Sequence, residues 1–385
     1  MHDLKIVNAK VFNSDSCSFE EHPVCITDGV IAGFDDEKSR QVIDARGCFL
    51  SPGLIDEHLH IDYQGSLIGA NADTLCVPSG ITSVCDGGTC GVSSFTSFYN
   101  NNILRYETHT YSYLNAQTFG NKSVCLHEED QDPKDFREDL IAKCFERYGD
   151  VLRGLKIRLC RGTLGDSGVG PETLKAGLKI RKKLQEKGYH CPLVVHYGDL
   201  PADFPIATLF DSLQKGDIVA HVMQTHGEQI FDDSGKVRDC VRKARERGVL
   251  MDDCHGRVHW SFENLERAIS NDFLPDFISS DNIRLSEYVA PGFSLLYAMA
   301  VQSAAGMSVE QILRRVTRNP ALALGIEDRA GEIKLGSCAD LTVLKIEDLN
   351  YSLADNYGGQ RKGNKLFIPC LTMISGRVAY RQIFF

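Results

Sequence analysis

The chain has 385 residues, 43% hydrophobic and 24% charged, enough to bury a full core in one large domain, or in one domain with a satellite. Lys and Arg number 42 against 52 Asp and Glu, a formal net charge of -10 with no basic run, which argues against nucleic acid as a partner. No window approaches the roughly 18 uninterrupted apolar residues of a membrane helix, and Met1-His2-Asp3-Leu4-Lys5 does not read as an export signal, so a cytoplasmic protein working away from membranes is expected.

In chain order, residues 1–50 carry short strands at close spacing, Leu4-Lys5-Ile6-Val7 and Val24-Cys25-Ile26 among them. The middle of the chain then alternates eight β-type runs with amphipathic helical stretches. The runs are 54–60, 81–86, 109–116, 152–160, 192–197, 217–222, 248–254 and 276–281; helical stretches include 135–148, 172–187, 236–247 and 262–271. Eight β/α units predict an α/β fold, a closed (β/α)8 TIM-like barrel over residues 51–332. A last helix over 308–316 opens Ser308-Val309-Glu310-Gln311, which fits a capping box. Residues 333–385 return to short strands, Leu341-Thr342-Val343-Leu344 and Leu371-Thr372-Met373-Ile374. Together with 1–50 they predict a small β-sandwich built from both chain ends. The 14 cysteines are dispersed and lack a Cys-x-x-Cys, so they read as reduced, mostly buried thiols.

Barrel chemistry sits at the C-terminal ends of the strands. The first run ends His58-Leu59-His60, the fifth at His196, the sixth at His221 and the eighth at Asp281, while His255 follows the seventh. Side chains two apart on a strand share a face, so His58 and His60 both turn inward. With His196, His221 and Asp281 at equivalent strand ends they suit Zn or a similar divalent ion. The fourth run holds Lys156 amid Leu155 and Ile157. A buried ammonium is costly, and two readings stay open at this point: a salt bridge to Asp86 or Asp281, or a neutral amine that adds carbon dioxide to become a metal-bridging carbamate.

Pro52-Gly53-Leu54-Ile55-Asp56-Glu57-His58-Leu59-His60 resembles the signature of the amidohydrolase superfamily. The segments Arg318-Asn319-Pro320-Ala321 and 331–341 resemble its exit from the barrel, so the likeness spans essentially the whole chain. The resemblance implies two divalent metal ions: His58, His60 and Asp281 on one, His196 and His221 on the other, carboxylated Lys156 bridging, and Asp281 also acting as base. Gly154-Leu155-Lys156-Ile157-Arg158 and Asp253-Cys254-His255-Gly256 look like the deacetylase or dihydroorotase-like branch, which handles small N-acyl and O-acyl acids. Two departures stand out. Asp62 takes the place where the dihydroorotase pattern carries arginine, and Cys254 precedes His255.

The expected reaction is hydrolysis of an amide, ester or cyclic amide by a metal-bridging hydroxide, with Asp281 relaying the proton. Arg158 follows Lys156 by two and faces the same way, placed to hold a substrate carboxylate or to pair with an acidic neighbour such as Asp86. His255 is expected either to meet the substrate or to cap its loop, and Arg161 is a weaker candidate past the strand end. The partner is a small-molecule substrate, and a homo-oligomer stays open. A cyclic amidase, a dipeptidase or D-aminoacylase-like enzyme, a phosphoesterase and a non-catalytic scaffold are the rival readings.

Overall fold

The computed structural model describes residues 1–121, 129–164 and 169–385. Seven strands make one parallel sheet in sequential order: Leu54–Leu59, Ile81–Asp86, His109–Asn115, Leu152–Leu159, Leu193–Tyr197, Ile218–Ala220 and Leu250–Asp252. Every residue of Ile81–Asp86 and of Leu193–Tyr197 is buried. Helices cover one face and the curled sheet encloses the other, which is why Leu193-Val194-Val195 reads as a continuous apolar run rather than an alternating one.

The eighth run differs from the expected regular strand. It makes a single bridge, Phe277 with Asp252, and Asp281 takes a left-handed φ of 47° that ends any extended pairing. Its backbone nonetheless bonds to both flanks. The Asp276 amide donates to Met251 O (2.7 Å) and the His255 amide to Ser279 O (2.9 Å) on one side; the Asp281 amide donates to His58 O (2.7 Å) and the His60 amide to Asn282 O (2.8 Å) on the other. These bonds complete a TIM-like ring.

The helices Glu138–Tyr148, Gly170–Glu186, Asp239–Glu246, Phe262–Ser270 and Val309–Arg315 fall where periodicity put them, within a few residues at each end. The capping box forms: the Gln311 amide donates to Ser308 Oγ (3.2 Å) and the Ser308 amide to Gln311 Oε1 (3.0 Å). Leu155, Ile157, Val195 and Met251 pack outward into the large core under the helices. Ile55, Tyr111, Tyr113, Val194 and Ile218 form a second buried cluster with Ala321 and Leu324 of the helix Arg318–Leu324, a floor beneath the strand ends.

The chain ends form a four-stranded and a six-stranded sheet whose facing residues, among them Ile6, Val24, Ile26, Val343, Leu371 and Met373, share one core. The short strands expected at 341–344 and 371–374 are only the base of a long antiparallel hairpin, Leu341–Ala354 with Gln360–Ile374. Its outer part leaves the terminal core and lies on the barrel, where Leu353 and Phe367 join the large cluster. At its tip Asp355 Oδ2 accepts from the Phe262 amide (3.0 Å) and Tyr357 donates its hydroxyl to Val258 O (2.5 Å), bracing the loop after the seventh strand. Among the described residues every cysteine is a free thiol, and no helix is long and apolar enough to cross a membrane.

Candidate active site

The six expected ligands converge at the strand ends. His58, His60, Lys156, His196 and His221 are buried, and Asp281 keeps 15% of its side chain exposed. His58 Nε2 lies 3.0 Å from Lys156 Nζ, and His60 Nε2 lies 3.5 Å from Asp281 Oδ1. The His196 and His221 rings sit 4.3 Å apart between centroids, and His58 is 5.8 Å from His221. Space for this cluster comes from Gly87 and Gly88 after the second strand. A Cβ at Gly87 would stand 2.5 Å from His58 Nε2, and one at Gly88 would stand 2.7 Å from Lys156 Cβ. Gly88 also holds φ +91°, which side-chain-bearing residues rarely adopt.

Neighbouring groups fix the imidazoles. His60 Nδ1 is 2.7 Å from Thr89 Oγ1, whose hydroxyl donates to Asp86 Oδ2 at 2.8 Å. His221 Nδ1 donates to Cys254 O at 2.9 Å, and His58 Nδ1 faces Asp252 Oδ2 at 3.5 Å. At His60 and His221 the arrangement places a proton on Nδ1 and turns Nε2 toward the cluster, the pattern of ligating histidines held by an outer partner. Burial first, then the surrounding cationic groups, holds His58, His196 and His221 well below the ordinary imidazole range, so all three are neutral donors. For Asp281 burial pushes the carboxyl up, but the hydrogen bond and charge of His60 outweigh it, and the carboxyl titrates below its ordinary value. Four imidazoles and a carboxylate aimed into one space are a donor set that fits divalent cations.

Lys156 is not paired as either expected carboxylate would allow. Asp86 accepts from the Ile61, Gly88 and Thr89 amides, and Asp281 faces His60. Burial lowers the Lys156 amine, which favours its neutral form. Beneath it Glu57 accepts from the Tyr113 hydroxyl and lies beside Asp252; burial raises both carboxyls, so the pair retains a proton.

Arg158 finds an acidic neighbour other than the expected Asp86: its Nε is 2.9 Å from the buried Glu129 Oε2. His255 has no exposed surface. Its ring stacks on Trp260 with centroids 4.1 Å apart, and Nδ1 lies 3.3 Å from Asp253 Oδ2. His259, which the sequence reading passed over, comes to the cluster instead, 4.0 Å from the His221 ring and 5.3 Å from His196; burial lowers its pKa to about 4. Its signal was a second histidine four residues after His255 in a loop following a barrel strand. Arg161 lies outside the cluster, half-exposed, with Nε 3.5 Å from Asp199 Oδ2. Asp62 is buried and accepts from the Gly65 amide and Asn102 Nδ2.

The sequence pattern of the amidohydrolase family matches residues 208–378. A deacetylase of Agrobacterium fabrum is 30% identical over 335 residues, 87% of this chain and 79% of that protein. A deacetylase of Enterococcus faecalis is 26% identical over 381 residues, 98% of this chain and 99% of that protein. Among solved structures, a dihydroorotase aligns with a TM-score of 0.86 at 26% identity over 98% of this chain and 99% of its own. An adenine deaminase aligns with a TM-score of 0.89 at 24% identity over 99% and 100%, a likeness of fold. The chain belongs to the amidohydrolase family, and it is a hydrolytic enzyme acting on C–N bonds.

Proposed function

We propose that this enzyme is a binuclear metal-dependent amidohydrolase that removes the acyl group from a small carboxylate-bearing N-acyl or O-acyl substrate. The observation that carries the reading is the convergence of His58, His60, His196, His221, Lys156 and Asp281 on one buried space with their donor atoms turned inward. His58, His60 and Asp281 would hold one ion and His196 and His221 the other, and Lys156, once its neutral amine has added to the carbon of carbon dioxide and released a proton, would supply a carbamate ligand. When bound, two divalent ions, zinc foremost, would lower the pKa of water to about 7 and act as a Lewis acid toward the substrate carbonyl.

The protein does the rest. Asp281, kept anionic by His60, takes the proton of the attacking water and returns it to the leaving amine or alkoxide. Arg158, in register with His196 on the neighbouring strand, is held by Glu129 at Nε and offers the remaining guanidinium N–H groups to the substrate carboxylate. His259 takes the position facing the substrate, with His255 behind it against Trp260. Residues 1–50 and 333–385 act as a small β-sandwich domain beside the 51–332 barrel, and its long hairpin steadies the loop that carries His259. A dihydroorotase-like cyclic amidase is the second reading, favoured by the aligned dihydroorotase and opposed by buried Asp62 in the place of the expected arginine.

The test is a panel of N-acyl amino acids and acylated hydroxy acids given to the zinc-loaded enzyme, each acid paired with its methyl ester. Arg158→Met should lower kcat/KM on the acids roughly ten- to a hundredfold, the loss of one charge-assisted contact, and spare the esters. Equal losses on both would remove Arg158 from carboxylate recognition, and an inert panel would remove the deacylase reading.

A further inference from the structure

The loop after the seventh strand brings one more donor to the cluster. Cys254 has no exposed surface, and its backbone is pinned at both ends: its amide donates to Asp252 Oδ1 (2.9 Å) and its carbonyl accepts from His221 Nδ1 (2.9 Å). Held so, the side chain points among the ligands. Sγ lies 3.8 Å from His221 Nε2, and the sulfur and donor atoms of His58 and Asp281 lie within 4.8 Å of one another. An ion bound to imidazole nitrogen at 2.0–2.1 Å and to sulfur at 2.3 Å in tetrahedral array separates the two donors by about 3.5 Å. The observed spacing is close to that.

We propose that Cys254 is itself a metal ligand, a thiolate donor to the ion that His221 holds, in a centre otherwise built of nitrogen and oxygen. The inference rests on the metal-dependent reading above. On binding, the S–H proton leaves to solvent and the sulfur lone pair forms the bond to the cation; no electron is transferred. A sulfur donor biases the centre toward zinc, cobalt and cadmium and away from magnesium and manganese.

The experiment loads the full-length protein with zinc for X-ray absorption and with cobalt(II) for near-ultraviolet spectroscopy. The parent protein should show a sulfur neighbour at about 2.3 Å and a sulfur-to-cobalt charge-transfer band. Both signals should vanish in Cys254→Ser and Cys254→Gly. Glycine tolerates the left-handed φ of 42° at this position, so the second variant keeps the fold. Two bound ions with no sulfur signal in the parent, or the same signal in both variants, would overturn the proposal and leave the metal-dependent reading intact. Absence of bound metal from parent and variants alike would overturn both.

Discussion

The Thr89 hydroxyl stands between two groups, 2.7 Å from His60 Nδ1 and 2.8 Å from Asp86 Oδ2. It has one hydrogen, and the carboxylate can only accept, so Thr89 donates to Asp86 and accepts from His60 Nδ1–H. That chain turns His60 Nε2 toward Asp281. Thr89→Val keeps the shape and deletes the hydroxyl, and should weaken metal affinity by roughly 10–100-fold, as loss of a ligand's outer partner typically does. Thr89→Ser should restore it. Competition against a chelator reads the constant, and an unchanged affinity in the valine variant would show that Thr89 does not orient His60.

Asp281→Asn should lower kcat by at least about a hundredfold, because an amide accepts no proton. Most of the metal should remain, held by the four histidines and Lys156. Turnover within tenfold of the parent at full metal occupancy would take Asp281 out of the base role.

At the other end of the barrel, His109 opens the third strand and its Nε2 lies 3.1 Å from Asp340 Oδ2, at the base of the C-terminal hairpin. The hydrogen bond that His109 donates to Asp340, with Cys338 adding to it, outweighs burial and raises the imidazole to about 9. A group whose pKa is higher folded than unfolded contributes its stability in full below the unfolded value, near 6.5, and loses it as pH rises through about 9. His109→Gln should therefore cost about 1–3 kcal/mol at pH 6 and little above pH 9.5. Urea denaturation at the two pH values checks this; an equal deficit at both would mean that the histidine's charge contributes nothing.

Much of this was legible before the structure because barrel strands carry a local signal. A short apolar run such as Leu193-Val194-Val195 reads as a strand buried on both faces, and a histidine that ends such a run, as His196 does, has one place to go. The same logic put Lys156 in the ring. It stopped where a partner comes from a distant loop. Nothing local to Arg158 indicates Glu129, 29 positions earlier, and the period-2 rule has no purchase on the irregular loop that buries His255 and delivers His259. The long hairpin was read as two short strands because its outer half is solvated on one side and meets the barrel with only a few apolar residues, Leu353 and Phe367 among them. The regularity expected of the eighth run was lost to the left-handed turn at Asp281 that aims its carboxylate at His60.

The metal centre is tested most directly by the metal content of protein purified with added zinc, alongside His58→Ala and His196→Ala. Two ions per chain are predicted for the parent, with each variant losing at least one. Fewer than one ion per chain in the parent, together with no change on either substitution, would contradict the account.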